Sequence, residues 1–116
     1  MPTTRLSEAD IAMAAALLTA MGNRNRMLVL DIVSREETSV GKLATLVGMG
    51  QSALSQHLSL LKNAGLVQSR RDGQTIYYRS ETSEVRLMLA TLYEIFEIAV
   101  PVLRETEIAN EPAVTS

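Results

Sequence analysis

Between residues 40 and 65 two helical patterns meet across only three residues. Val40 to Val47 carries Leu43, Ala44, Leu46 and Val47 at helical spacing, Gly48-Met49-Gly50 turns the chain, and Gln51 to about Ala64 repeats Leu54, Leu58 and Leu61 before Gly65. So short a connection leaves the helices no choice but to pack across each other, which is the layout of a helix-turn-helix. Gly65 suits the left-handed residue that closes a helix, and Gly50 occupies the position that would cap the longer one.

The segment after Gly65 narrows the fold further. Leu66-Val67-Gln68-Ser69-Arg70-Arg71 and Gln74-Thr75-Ile76-Tyr77-Tyr78-Arg79 are β-rich runs on either side of Asp72-Gly73. That dipeptide predicts a tight hairpin with a type I′ turn, in which both central residues take positive φ. A hairpin directly after a helix-turn-helix is a wing.

The outer segments supply helices. Ser7, with Asp10 three residues on, predicts an N-cap and a helix running to about Met21, broken by Gly22-Asn23. A second helix spans Arg24 to Arg35 with Met27, Leu28, Leu30, Ile32 and Val33 inward, and Glu36 to Ser39 reads as a connection. The last helix starts near Ser83 and repeats Val85, Met88, Leu89, Leu92, Ile95, Phe96 and Ala99 until Pro101 interrupts. The fold class is therefore mainly α with a small β-hairpin, a winged helix-turn-helix ordered α-α-α-α-β-β-α. Residues 1–103 form one domain of DNA binding and dimerisation, and the apolar-poor tail 104–116 is expected to fray.

The first helix is apolar almost all the way round from Ile11 to Leu18, more than a small core can cover. Glu8 and Asp10 precede that run, the wrong charge for a secretory leader, and it is too short to span a membrane. The first and last helices are therefore predicted to pair two copies of the chain, through Ile11, Ala14, Ala15, Leu18, Met88, Leu92, Ile95 and Phe96. The expected setting is cytoplasmic.

The longer helix of the pair carries the chemistry. Leu54, Leu58 and Leu61 take one face, and Ser52, Gln56 and Ser59 take the opposite one, with Ser55 and Asn63 beside them and Gln51 at its start. Small hydroxyls and amides without carboxylates suit a major groove, where Gln can hold adenine with two hydrogen bonds and Ser can meet base edges or phosphate. A plain solvated face would look the same, but the wing favours nucleic acid. Arg70, Arg71 and Gln74 on the hairpin, with Arg79, are placed to touch backbone. Tyr77 and Tyr78 point to opposite sides of a strand, so one belongs to the core, and Tyr78 is counted among the DNA contacts. His57, at the edge of the polar face, is assigned to phosphate or packing.

Charge is distributed to match. The chain has a net charge of −2, yet residues 22–79 hold eight basic against four acidic side chains, while residues 80–116 hold two against seven. With no cysteine and one histidine, thiolate metal sites and thiol switches are excluded, and neither a metal nor another cofactor is expected. No phosphate-cradling loop, nucleophile motif or acid–base pair points to catalysis.

From about Leu18 to Arg79 the chain resembles the ArsR/SmtB family of bacterial repressors. The resemblance lies in Ala20-Met21-Gly22-Asn23 with Arg26-Met27-Leu28-Val29-Leu30, in Gln51-Ser52-Ala53-Leu54-Ser55-Gln56-His57-Leu58-Ser59-Leu60-Leu61, in Ala64-Gly65-Leu66-Val67, and in Arg70 to Tyr78. It implies a homodimer that represses transcription by binding double-stranded operator DNA, at imperfect palindromes where the likeness is to metal-independent members. The family's metal sensors carry Cys or His/Asp ligands in stretches that here, from Glu37 to Leu43 and Glu84 to Ala99, have neither Cys nor His. The usual Pro before the second helix is replaced by Asn23-Arg24-Asn25. Two rivals stay open: a metal-responsive repressor with carboxylate ligands from Glu94 and Glu97 of both copies, and a winged helix that binds only protein.

Overall fold

In the computed structural model, which describes residues 3–98, the order is α1 (Glu8–Met21), α2 (Arg24–Val33), β1 (Thr38–Ser39), α3 (Val40–Val47), α4 (Gln51–Asn63), β2 (Gln68–Asp72), β3 (Thr75–Arg79) and α5 (Ser83–Ile95). Ser7 and Asp10 begin α1 reciprocally: the Ser7 hydroxyl accepts the Asp10 N–H, and the Asp10 carboxylate accepts the Ser7 N–H. Asn23 takes over the helix-starting role of the missing proline. Its side-chain oxygen accepts the N–H groups of Asn25 and Arg26, so α2 starts one residue after α1 is closed by Gly22.

The helix-turn-helix forms as the spacing predicts. Gly48 takes φ +81° to end α3, and Gly50 starts α4 in extended backbone without a side-chain cap. At the other end of α4, Gly65 takes φ +76°. Its N–H donates to the Lys62 carbonyl and the Leu66 N–H donates to the Leu61 carbonyl, the paired bonds of a Schellman closure. Leu66 and Val67 are thereby turned straight into the core.

That core gathers Met21 of α1, Val29, Leu30 and Val33 of α2, Leu43 and Val47 of α3, Leu54, Leu58 and Leu61 of α4, and Val85 and Leu89 of α5. Val29 belongs to the inward set of α2 and is fully buried, whereas Met27, Leu28 and Ile32 only pack against its margin. Leu46 points outward, 50% exposed. Buried Ser80 ties the wing to this core: its hydroxyl donates to the Leu66 carbonyl at 2.7 Å and its N–H donates to the Val33 carbonyl at 3.1 Å.

Three features differ from the sequence reading. The wing has three strands, ordered β1-β3-β2, because Thr38 and Ser39 of the supposed connection pair antiparallel with Tyr78 and Tyr77. The hairpin loop is Gly73-Gln74, one residue later than expected, since Asp72 pairs with Thr75. Only Gly73 has positive φ there, +66°, which matches a type II′ loop with glycine first instead of type I′. Finally, α5 stops at Ile95, before Pro101. Glu97, at φ +56°, stands where glycine usually does, and the Ile98 N–H donates back to the Tyr93 carbonyl. Ala99, Pro101 and the tail 104–116 lie outside the described residues. No helix among those described is long and apolar enough to cross a membrane.

Candidate nucleic-acid interface

Helix α4 is held from below and left open above. Leu54, Leu58 and Leu61 are at most 1% exposed, so rotation about the helix axis is fixed by packing. Gln51, Ser52, Ser55, Gln56 and Ser59 are all exposed on the remaining faces. Among the described residues the side chains of Ser52, Ser55, Gln56 and Ser59 make no intramolecular hydrogen bond, so their donors and acceptors are uncommitted. The helix carries no acidic residue, and its last turn holds Lys62, whose Nζ donates to Ser69 Oγ at 2.8 Å and links α4 to the base of the wing.

The wing's charges are arranged less simply than the sequence suggests. Gln74 lies in the exposed two-residue tip and Arg71 stands two residues before that loop begins, and among the described residues the Arg71 guanidinium meets only the Gly73 carbonyl, at 3.5 Å. Arg70 is instead engaged: its Nε and Nη2 donate to the Glu37 carboxylate at 2.8–3.0 Å, and its guanidinium lies 4.6 Å from the centre of the Tyr77 ring. Arg79 approaches the same carboxylate at 3.8 Å and pairs with Glu81 at 3.2 Å. The hydrogen bond from Arg70, reinforced by the charges of both arginines, holds the Glu37 carboxyl below its ordinary value despite an opposing effect of burial. Glu37 has a place in the site that sequence reasoning misses. Its only signal there is an acidic residue in a stretch that reads as a loop.

The two tyrosines also sort themselves. Tyr78 packs against the core, while Tyr77, opposite Arg70 in the ladder, lies on the other face of the sheet. The sequence counts Tyr78 among the DNA contacts; its half-buried ring packs against the core. His57 is half-buried, with Nδ1 3.3 Å from Arg26 Nη1.

The residues assigned to self-association are largely uncovered in the single chain. Ile11, Ala15 and Leu18 of α1 are exposed, as are Ile95 and Phe96 at the end of α5, the last two above 60%. Ala14, Met88 and Leu92 are half-buried. A largely apolar groove of about 540 Å³ runs between α1, through Met13, Ala14 and Leu17, and the Ala64–Leu66 turn with Thr82 and Glu84. A single folded chain has no reason to keep such faces in water. Within one chain, no group of three or more His, Asp or Glu side chains among the described residues is placed to hold a metal ion.

Comparison with known proteins agrees with this geometry. A family model described as bacterial regulatory protein, arsR family, matches residues 23–69, from the cap of α2 into β2. Nodulation protein NolR of Rhizobium meliloti is 51% identical over 87 residues, which cover 75% of this chain and 71% of that protein. The crystal structure of NolR from Sinorhizobium fredii superposes with a TM-score of 0.78 at 46% identity, covering 85% of this chain and 99% of that one. The solution structure of a homodimeric winged helix-turn-helix DNA-binding domain, Mb0332 of Mycobacterium bovis, superposes at 0.69 with 29% identity, covering 84% and 90%.

Proposed function

The chain belongs to the ArsR family of bacterial regulatory proteins, and from that premise we propose that it is a metal-independent homodimeric repressor that reads imperfect palindromes. Membership of the family makes it a DNA-binding transcription regulator with a winged helix-turn-helix. The finer reading rests on one observation above others: the carboxylate-free face of α4 presents four uncommitted polar side chains, Ser52, Ser55, Gln56 and Ser59, and the wing that follows α4 carries the exposed Arg71 near its tip. Gln51, Ser52, Ser55, Gln56 and Ser59 enter the major groove, where Gln56 reads a base edge and the serines meet bases or phosphate. Arg71 and Gln74 hold the backbone beside it, and His57 takes a phosphate at the edge.

Two copies joined through α1 and α5 present two α4 helices about one DNA turn apart, roughly 34 Å, which requires a pseudo-symmetric operator. Repression then comes from occupancy, since a bound dimer covers the groove and backbone that another protein would need. The metal-independent reading is supported by the described residues, among which no group of three or more His, Asp or Glu side chains comes together on one chain.

Titration of double-stranded DNA at several salt concentrations tests the reading. The expected result is a linear fall of log affinity with log salt, at about −0.9 per phosphate contacted, unaffected by chelator, zinc or nickel. A salt-independent interaction would favour a winged helix that binds only protein. A tenfold response to stoichiometric metal would favour carboxylate ligands such as Glu94 and Glu97 shared between copies.

A further inference from the structure

The Arg26 side chain reaches both α1 and α4. Its Nε donates to the Ala20 carbonyl at 2.6 Å and its Nη2 to the Thr19 carbonyl at 3.1 Å, both in the last turn of α1. That turn contains no basic residue of its own, so Arg26 supplies the positive charge its carbonyls favour. The remaining arm, Nη1, lies 3.3 Å from Nδ1 of His57 on α4. The Arg26 backbone is fixed in turn by the Asn23 cap.

A guanidinium has five N–H donors and no acceptor. The contact with His57 is therefore a hydrogen bond only if Nδ1 keeps its lone pair, which puts the ring proton on Nε2. A ring protonated on both nitrogens would instead turn an N–H and a positive charge toward the guanidinium. Nε2 sits on the ring edge away from Nδ1, and His57 lies between exposed Gln56 and buried Leu58, at the rim of the DNA-facing surface.

We infer that Arg26 is a positioning residue for DNA binding: it holds the neutral His57 ring with Nδ1 accepting, so that Nε2–H is presented as a donor to a backbone phosphate. The inference rests on the assignment of α4 to the groove. It adds that the contact is made by a neutral ring, and that the same guanidinium joins the C-terminal turn of α1 to the rim of the reading helix. A shift of α1 against α4 breaks the bond to His57 or the bonds to Thr19 and Ala20.

Because His57 is the only histidine, its ring ¹⁵N resonances are unambiguous. In the free protein at neutral pH the expected spectrum shows unprotonated Nδ1 and protonated Nε2, with a tautomer ratio that shifts toward a mixture in Arg26→Gln. A predominantly protonated Nδ1, or a ratio indifferent to Arg26→Gln, overturns the assignment. If Arg26→Gln does not fold, the wild-type spectrum and the His57 variants decide.

In those variants, His57→Asn keeps an acceptor near the Nδ1 position and removes the distal donor. Operator affinity should fall on the order of tenfold per subunit, the scale of a hydrogen bond to a charged group. The salt slope should stay unchanged, because a neutral donor displaces no counterion. His57→Gln, whose amide reaches the Nε2 position, should recover part of the loss. Unchanged affinity in His57→Asn, or a loss accompanied by a flatter slope, overturns the proposal, the latter because it identifies a cationic ring. Failure of the wild-type protein to bind any double-stranded DNA would instead refute the functional reading, while the ¹⁵N spectrum judges the Arg26 contact without DNA.

Discussion

Glu37 accepts three hydrogen bonds from Arg70, at 2.8–3.0 Å, and stands 3.8 Å from Arg79, so one carboxylate restrains two of the wing's three arginines. This lowers the positive charge available to DNA and leaves Arg71 as the wing's uncommitted cation. Removing the carboxylate in Glu37→Ala should free Arg70, while Arg79 keeps its pairing with Glu81 at 3.2 Å. Nonspecific affinity for duplex DNA should rise, and the salt slope should steepen by roughly one for each Arg70 that gains a phosphate. Binding isotherms at four or five salt concentrations measure this, and an unaltered slope would mean that Arg70 does not reach the backbone.

The same pair has a defined acid limit. The folded-state value of Glu37 is depressed, chiefly by the Arg70 hydrogen bond, so its contribution is complete above the unfolded carboxylate's value and fades as pH falls through the folded one. The Arg70 Nε–H resonance should therefore hold its position through the range in which a free carboxylate titrates, and move only at lower pH. Simultaneous titration would show that the pair is not formed in solution.

Between α5 and α2, the Tyr93 hydroxyl donates to Asp31, which also takes Arg35 at 3.1 Å. Burial, then the bond to the carboxylate, pushes Tyr93 up to about 12. A raised folded value means that the stabilisation is fully present below the unfolded phenol's pKa of about 10 and is lost as pH rises through the folded one. Ultraviolet titration should resolve one late-ionising tyrosine, absent in Tyr93→Phe, and the stability gap between wild type and that variant should close over this interval. Absence of that late step from the wild-type curve would contradict the bond.

Legible in the sequence is whatever a residue decides locally. Gly65 closes α4 because a left-handed position succeeds the last core leucine, and Ser7 opens α1 because Asp10 answers it one turn on. The hairpin is legible but its register is not: Asp72-Gly73 names a turn, and only the pairing of Asp72 with Thr75 shows which two residues form it. Tyr77 and Tyr78 resist sorting for the same reason, since every residue of β3 is half-buried and no alternation marks a face. Strand β1 is two residues long, below any periodicity, and exists because β3 offers it an edge. The end of α5 at Glu97 replaces glycine with a residue that gives no warning. The contact between Arg26 and His57 spans 31 positions and depends on how three helices pack.

Assembly can be tested without disturbing the core. Leu18 is 56% and Phe96 65% exposed in the single chain, so an aspartate at either position can keep its carboxylate in water in the monomer. At a helix-paired interface it would be an unpaired buried charge, costing several kcal/mol. Leu18→Asp and Phe96→Asp should sediment as monomers with unchanged helical circular dichroism and lose cooperative operator binding. An intact dimer in both variants would place the interface elsewhere.

Reading and holding should separate at Gln56 and Arg71. Gln56 projects from the middle of the open face of α4, with an amide free to donate or accept, whereas Arg71 stands beside the wing tip with no partner but a distant carbonyl. Loss of a two-bond base contact costs about 1–3 kcal/mol and relaxes preference at that base pair alone. Loss of a phosphate contact weakens every sequence alike and reduces the salt slope by roughly one. A dimer doubles both effects. Gln56→Ala should therefore reorder a set of single-base operator variants while keeping the wild-type slope, and Arg71→Ala should keep the order and flatten the slope by roughly two. If both variants scale all affinities by a common factor, Gln56 does not read a base, and recognition rests on the serines or on DNA shape.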